Sequence, residues 1–169
     1  MITSSNWGTR PHVIGRKPNV LFVCTGNINR SAAAEFIAQR MFPDDWNVYS
    51  VALNGTSGHP MHPRMREILQ LPIEAHRSRA LQPYNLVWAD VVVGFQPSHC
   101  NAFNKFMDEW NFADPSPIWA SMVYWLQDEN VNKVLDPNFD STGKSHKEVV
   151  RLLDKAIPRM HAEICLTPS

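Results

Sequence analysis

Neither sign of charge is in excess in these 169 residues, with 16 Lys and Arg against 16 Asp and Glu, so nothing in the composition points to a nucleic-acid or membrane partner. No apolar run approaches the length of a membrane span, and the first residues lack the apolar core of a signal peptide. Cysteine is scarce. Cys24, Cys100 and Cys165 are an odd number without disulfide or metal-ligand spacing, which points to a reducing, cytoplasmic compartment. His59 and His62 lie among prolines with no third ligand near, so they read as exposed imidazoles, and neither a metal nor another cofactor is expected. What is present is 44% apolar residues, enough for one domain with a full core.

The chain is organised around Val20 to Ser31. Val20, Leu21, Phe22 and Val23 form a short apolar run of the kind that fills a buried parallel strand, and Cys24 sits where it ends. From Arg30 to Phe42 strong helix formers take over, with Phe36, Ile37 and Met41 at helical spacing. Cysteine and arginine therefore bracket a strand-to-helix turn. Such a turn aims backbone N–H groups and the positive end of a helix dipole at one small volume, the natural seat of an anion. A thiol placed there is favoured as thiolate, because the same donors stabilise it. Arg30 can fold its planar fork back to grip two oxygens of a tetrahedral oxyanion, while Gly26 permits a tight path and Asn27 tolerates a left-handed backbone.

The rest of the chain alternates strand and helix. Met1 to Lys17 is polar and aperiodic and reads as a flexible extension, leaving 18–169 as a single domain. Further strands are expected at Trp46 to Ala52, Trp88 to Phe95 and Val131 to Leu135, and helices at Pro63 to Gln70 and Pro97 to Trp110. Ile118 to Leu126 reads as a helix or an aromatic-rich lid. A closing helix starts at a capping box, Ser145 to Glu148; Val150, Leu153, Ile157, Met160 and Ile164 are its buried stripe, and Pro158 kinks it. This pattern predicts an α/β fold, a four-stranded, mostly parallel sheet in three layers with helices on both faces, whose ligands bind at the carboxyl ends of the strands.

The loop Cys24-Thr25-Gly26-Asn27-Ile28-Asn29-Arg30-Ser31 resembles that of the low-molecular-weight protein tyrosine phosphatases, which begins Cys-x-Gly-Asn and ends Arg-Ser. The resemblance runs from about Pro18 to the last helix and includes Glu35, Ser50, Gly58, Pro63, Arg79, Asp90 and Asp136-Pro137. It implies the flavodoxin-like phosphotyrosine phosphatase I fold and hydrolysis of phosphotyrosine or small aryl phosphates through a phosphocysteine. Cys24 would be the nucleophile and Arg30 the phosphate clamp. Thr25, Gly26, Asn27, Ile28, Asn29 and Ser31 would line the phosphate site. An acid must stand across the pocket to protonate the leaving oxygen; by resemblance it is Asp136. The expected partner is a phosphotyrosine protein or small aryl phosphate, bound by a monomer or weak dimer. Ser31 and Ser50 are expected to bond the loop through Asn27.

Departures from that pattern matter. Glu109 to Pro115 is similar to a segment of thioredoxin-coupled arsenate reductases, which makes Asp114 an alternative acid. Those enzymes need a second loop cysteine and two shuttle cysteines, and here Asn29 and Gln96 stand at two of those places with Cys100 the only thiol nearby. A silent phosphate-binding module is the other alternative. Ile28 looks like the phosphotyrosine type, whereas Asn138 and Phe139 replace the family's paired tyrosines and Asn54 to His59 offers no aromatic wall. Without a vicinal thiol at position 29, peroxide is expected to inactivate Cys24 with poor recovery in dithiothreitol. Asn138 to Ser145 falls one glycine short of a nucleotide-binding loop, and Phe139 and Asp140 would crowd and repel phosphates there.

Overall fold

The computed structural model describes residues 16–112 and 117–165. Four strands, β1 (Asn19–Cys24), β2 (Asn47–Ala52), β3 (Val91–Gly94) and β4 (Ile118–Ser121), form one sheet in the order β2-β1-β3-β4, every neighbouring pair parallel. The helices are α1 (Arg30–Met41), α2 (Pro63–Leu69), α3 (Pro83–Trp88), α4 (Pro97–Glu109) and α5 (Lys144–Cys165), with 3-10 turns at Ile73–Ala75 and Met122–Glu129.

Side chains alternate across β1 because a strand has a period of two. Val20, Phe22 and Cys24 join a core with Ile37 of α1 and Leu153, Ile157 and Met160 of α5; Leu21 and Val23 pack with Leu86 of α3 and Phe103 of α4. These helices cover opposite faces of the sheet, giving the expected three-layer α/β architecture. The central strand is buried on both sides, which is why its sequence is one unbroken apolar run.

The structure corrects several expectations. Val131 to Leu135 is not a strand; the fourth strand is Ile118–Ser121, inside the segment read as a helix or lid, and Met122–Glu129 continues it as 3-10 turns broken at Leu126. Only Val134 of the expected strand is tied inward, its N–H donating to the Phe95 carbonyl at 2.8 Å. The short helix α3 was not anticipated. Ser145 does not cap α5: the Asp140 carboxylate accepts from the Ser145 and Thr142 N–H groups at 2.7 and 2.8 Å, while Glu148 pairs with Arg151. Those hydrogen bonds hold the Asp140 carboxyl well below its usual range. Asp140 thus takes the helix terminus that a nucleotide phosphate would need. Along α1 the buried face is Ala32, Ala33, Ala34, Ile37 and Ala38, with Met41 exposed; along α5 it includes Val149 and Leu152, with Val150 only half-buried. Small alanines let α1 lie close against β1 and β2.

Residues 1–15 of the expected extension lie outside the described residues. Arg16 does not: its guanidinium grips both oxygens of Asp90 at 2.8 and 2.6 Å, beside the Asn19 N–H that donates to the same carboxylate. A Cβ on Gly94 would collide with the Trp119 indole, so only glycine lets β3 approach β4 there.

Candidate active site

β1 ends at Cys24 and α1 begins at Arg30, so the loop between them lies at the carboxyl edge of the sheet. Cys24, Thr25, Gly26, Asn27, Ile28, Asn29, Arg30 and Asp136 all line one hollow of about 390 Å³, together with Asn54, His59, His62 and Asn138. Cys24 forms its floor and is 3% exposed. Ser31, expected among the phosphate-binding groups, instead stands behind the thiol: it is fully buried and its Oγ lies 2.9 Å from Sγ. The Asn27 N–H also donates to Sγ, at 3.3 Å. The N-terminus of α1 carries no side-chain cap and no acidic residue in its first turn, which leaves its N–H groups without an acidic side chain from the helix itself.

Asn27 is the hub that shapes the loop. Its φ of 56° places it in the left-handed region that asparagine tolerates better than most residues. Its Nδ2 donates to Ser31 Oγ at 2.8 Å and Ser50 Oγ at 2.9 Å, so both anticipated contacts are present, and its Oδ1 accepts from the Arg79 N–H at 3.0 Å. Arg79 in turn holds the Glu35 carboxylate at 2.9 and 3.1 Å and lies 3.8 Å over the Tyr49 ring. Burial still pushes the Glu35 carboxyl up, against the pull of Arg79.

Two histidines that no sequence pattern signalled brace the loop. His76 Nε2–H donates to the Asn27 carbonyl at 2.7 Å. His99 Nδ1 accepts from the Phe95 N–H at 3.1 Å, which leaves its proton on Nε2, directed at Thr25 Oγ1 3.2 Å away. Burial first, and then the Arg30 guanidinium, lowers His99 to about 3; burial lowers His76 to about 4. Both are neutral hydrogen-bond struts.

Arg30 is 1% exposed and turned inward. One terminal nitrogen donates to Gln96 Oε1 at 2.6 Å and the Val134 carbonyl at 3.0 Å, and the other lies 3.6 Å from the Asp136 carboxylate. Gln96 and Val134 are thus site residues that sequence reading missed. Arg30 Nε and the Asn29 carboxamide are buried without a hydrogen-bond partner among the described residues. Asp136 is half exposed on the opposite wall, its Oδ1 accepting from the Asn138 N–H at 3.1 Å. It follows an irregular segment and not a strand end. Asp114 lies outside the described residues. His62, read as an exposed imidazole, is half-buried and caps α2 by accepting from the Arg64 N–H at 3.2 Å. Among the described residues no three metal-ligating side chains cluster, and no helix is long and apolar enough to cross a membrane.

A thiol and a guanidinium facing one anion-shaped hollow at the edge of a doubly wound sheet define a class of cysteine-dependent oxyanion enzymes. The family model described as low molecular weight phosphotyrosine protein phosphatase matches residues 19–166, and the chain belongs to that family. An arsenate reductase of Staphylococcus aureus (strain Newman) is 31% identical over 133 residues, spanning 74% of this chain and 98% of the relative. YfkJ from Bacillus subtilis superposes with a TM-score of 0.75 at 23% identity, over 89% of this chain and 96% of that one. The tyrosine phosphatase Wzb from Escherichia coli K30, in complex with phosphate, gives 0.71 at 19% identity over 88% and 99%. These two structures share the fold.

Proposed function

We propose that this protein is a cytoplasmic phosphatase that hydrolyses aryl phosphomonoesters, phosphotyrosine foremost, through a phosphocysteine. The observation that carries the reading is the facing of Cys24, Arg30 and Asp136 across one hollow, with the unpartnered Arg30 Nε and Asn29 carboxamide buried in its wall. A buried donor without a partner costs about 1–3 kcal/mol, so Arg30 Nε gains from an oxyanion that reaches it. The loose thiols Cys24, Cys100 and Cys165 fit a reducing compartment.

In the first step the Cys24 thiolate attacks phosphorus, the phosphorus–oxygen bond breaks, and the Asp136 carboxyl gives its proton to the departing phenolate. In the second step Asp136 takes a proton from water, the water oxygen bonds to phosphorus, and the sulfur leaves as thiolate. Ser31 O–H and Asn27 N–H receive that thiolate. The 3.6 Å contact between Arg30 and Asp136 places the carboxylate beside the guanidinium that a phosphate would occupy. Ile28 in the wall supports an aryl substrate by the family pattern, and the aromatic rings that line the hollow are the imidazoles of His59 and His62.

Arsenate reduction is the second reading, favoured by the reductases among the relatives. Against it, Cys100 lines a different hollow with Pro97 and Trp119, Gln96 is engaged with Arg30, and burial pushes the Cys165 thiol up to about 12. Turnover of p-nitrophenyl phosphate, abolished in Cys24→Ser, tests the proposal; arsenate-dependent oxidation of thioredoxin without phosphatase turnover would replace it. Asp136→Ala is expected to lower kcat for phenyl phosphate, whose leaving oxygen needs a proton, about 10²- to 10³-fold and to remove the basic limb of its pH-rate profile. If Asp114→Ala removes that limb instead, Asp136 is not the acid.

A further inference from the structure

His146, in the first turn of α5, is fully buried, and neither of its ring nitrogens has a hydrogen-bond partner among the described residues. A buried imidazole that bonds to nothing is costly unless its ring is used. Its face is used: the His62 ring lies on it, centroids 4.4 Å apart and planes tilted by 33°. His62 touches three parts of the site at once. Its Nδ1 caps α2, its side chain lines the hollow, and its ring faces the backbone of Asn138, the residue whose N–H holds Asp136 Oδ1. The turn has two anchors besides: Pro137 at its centre is buried and its carbonyl accepts from the Asp140 N–H at 3.0 Å, and Asp136 lies 3.6 Å from Arg30, but on the Asn138 side the chain runs out to the almost wholly exposed Phe139.

We propose that His62, seated on the buried face of His146, is a positioning residue that holds the Asp136 turn over the phosphate cradle. This inference rests on Asp136 being the general acid. The ring does not touch the reacting atoms. It fixes the backbone that aims the carboxyl at the leaving oxygen, and a misplacement of about 1 Å there is enough to cost on the order of 10²-fold in rate.

The test compares an ester whose leaving group needs a proton, phenyl phosphate, with one that needs little, p-nitrophenyl phosphate. His62→Asn keeps an acceptor for the Arg64 N–H, because asparagine is a strong helix cap, and removes the ring. It is expected to lower kcat for phenyl phosphate about 10- to 100-fold and for p-nitrophenyl phosphate about twofold or less, with KM and melting temperature close to wild type. In an Asp136→Ala background the same substitution is expected to have no further effect on either ester. His146→Ala should reproduce the selective loss, and His146→Phe, which restores a flat apolar face, should return the wild-type pattern. Equal losses on both esters, a change confined to KM, or additive losses with Asp136→Ala would overturn the inference and make His62 a wall or a cap only. If Asp136→Ala itself shows no dependence on the leaving group, the assignment of the acid falls and this inference with it.

Discussion

The two walls of the pocket are built on opposite principles. The cradle from Cys24 to Ser31 is buried at Cys24, Asn27, Asn29, Arg30 and Ser31, with struts from His76, Arg79, Ser50 and His99 converging on it from three other segments. The acid wall from Val134 to Asn138 is more exposed, apart from the buried Val134 and Pro137, and is held by the Val134 and Pro137 backbones, one Asx turn, the His62 ring and the long contact with Arg30. The cradle must be rigid because its donors have to be in place before the oxyanion arrives. The acid serves two steps, giving a proton and then taking one, so its carboxyl stays open to substrate and water while the turn that carries it is held in place.

The comparison breaks most severely at Asn27. Asn27→Ala removes two donated hydrogen bonds and one accepted one and leaves a residue with a Cβ but no local bonding at positive φ. A loss of about 3 kcal/mol in unfolding free energy is expected, with kcat/KM down at least about 10²-fold, read by urea denaturation and p-nitrophenyl phosphate turnover. A variant that is destabilised but fully active would show that the cradle does not need its hub.

Gln96 sharpens it. Its amide oxygen is the shortest partner of Arg30, and hydrogen bonds to charged groups are worth about 1.5–3 kcal/mol. Gln96→Ala leaves the guanidinium to Val134 and Asp136, so KM and the inhibition constant of inorganic phosphate are expected to rise about 10-fold while Asp136-dependent leaving-group effects persist. A change in those effects at constant KM would place Gln96 with the acid wall instead.

The same division decides what the sequence tells. β1, the turn and α1 are contiguous, so an apolar run, a cysteine, an arginine and helix formers reveal strand, nucleophile and clamp together. The struts come from afar: Gln96 reaches Arg30 across 66 positions and Val134 across 104, so no local pattern could have found them. Val131 to Leu135 is not a strand although both backbone groups of Val134 are bonded, its N–H to the Phe95 carbonyl and its carbonyl to the Arg30 side chain, because a single crossing is not a ladder. Ile118–Ser121 is four residues long and flows into an aromatic 3-10 segment, so periodicity could not separate strand from helix. Ser145 and Glu148 fit a capping box, and Asp140 wins the helix terminus because it lies in a turn that curls back on it.

The smallest effect expected concerns protons. His99 ordinarily titrates near 6.5 and is lowered to about 3 in the fold, by burial and by Arg30; His76 is lowered to about 4, by burial and to a lesser extent Arg79. Protonating His99 would also put a donor on Nδ1 opposite the Phe95 N–H. Below pH 6.5 the unfolded chain therefore binds protons that the folded chain refuses, and stability falls as pH drops from 6.5 toward 4. Glu35 works the other way: burial raises its carboxyl, so the folded chain holds that proton longer and loses stability as pH rises through its folded value. At about 1.4 kcal/mol per pH unit per group before that offset, acidification from pH 6.5 to 5 is expected to cost about 1–3 kcal/mol in all. His99→Asn, which keeps an acceptor for Phe95 and cannot titrate, should recover about 1 kcal/mol of that loss while leaving stability at pH 7.5 nearly unchanged, as read by urea midpoints at the two pH values. An acid loss of the same size in the variant would mean that His99 is not a neutral strut, and the rigidity of the cradle would then have to rest on the bonds that Asn27 makes with His76, Arg79 and Ser50.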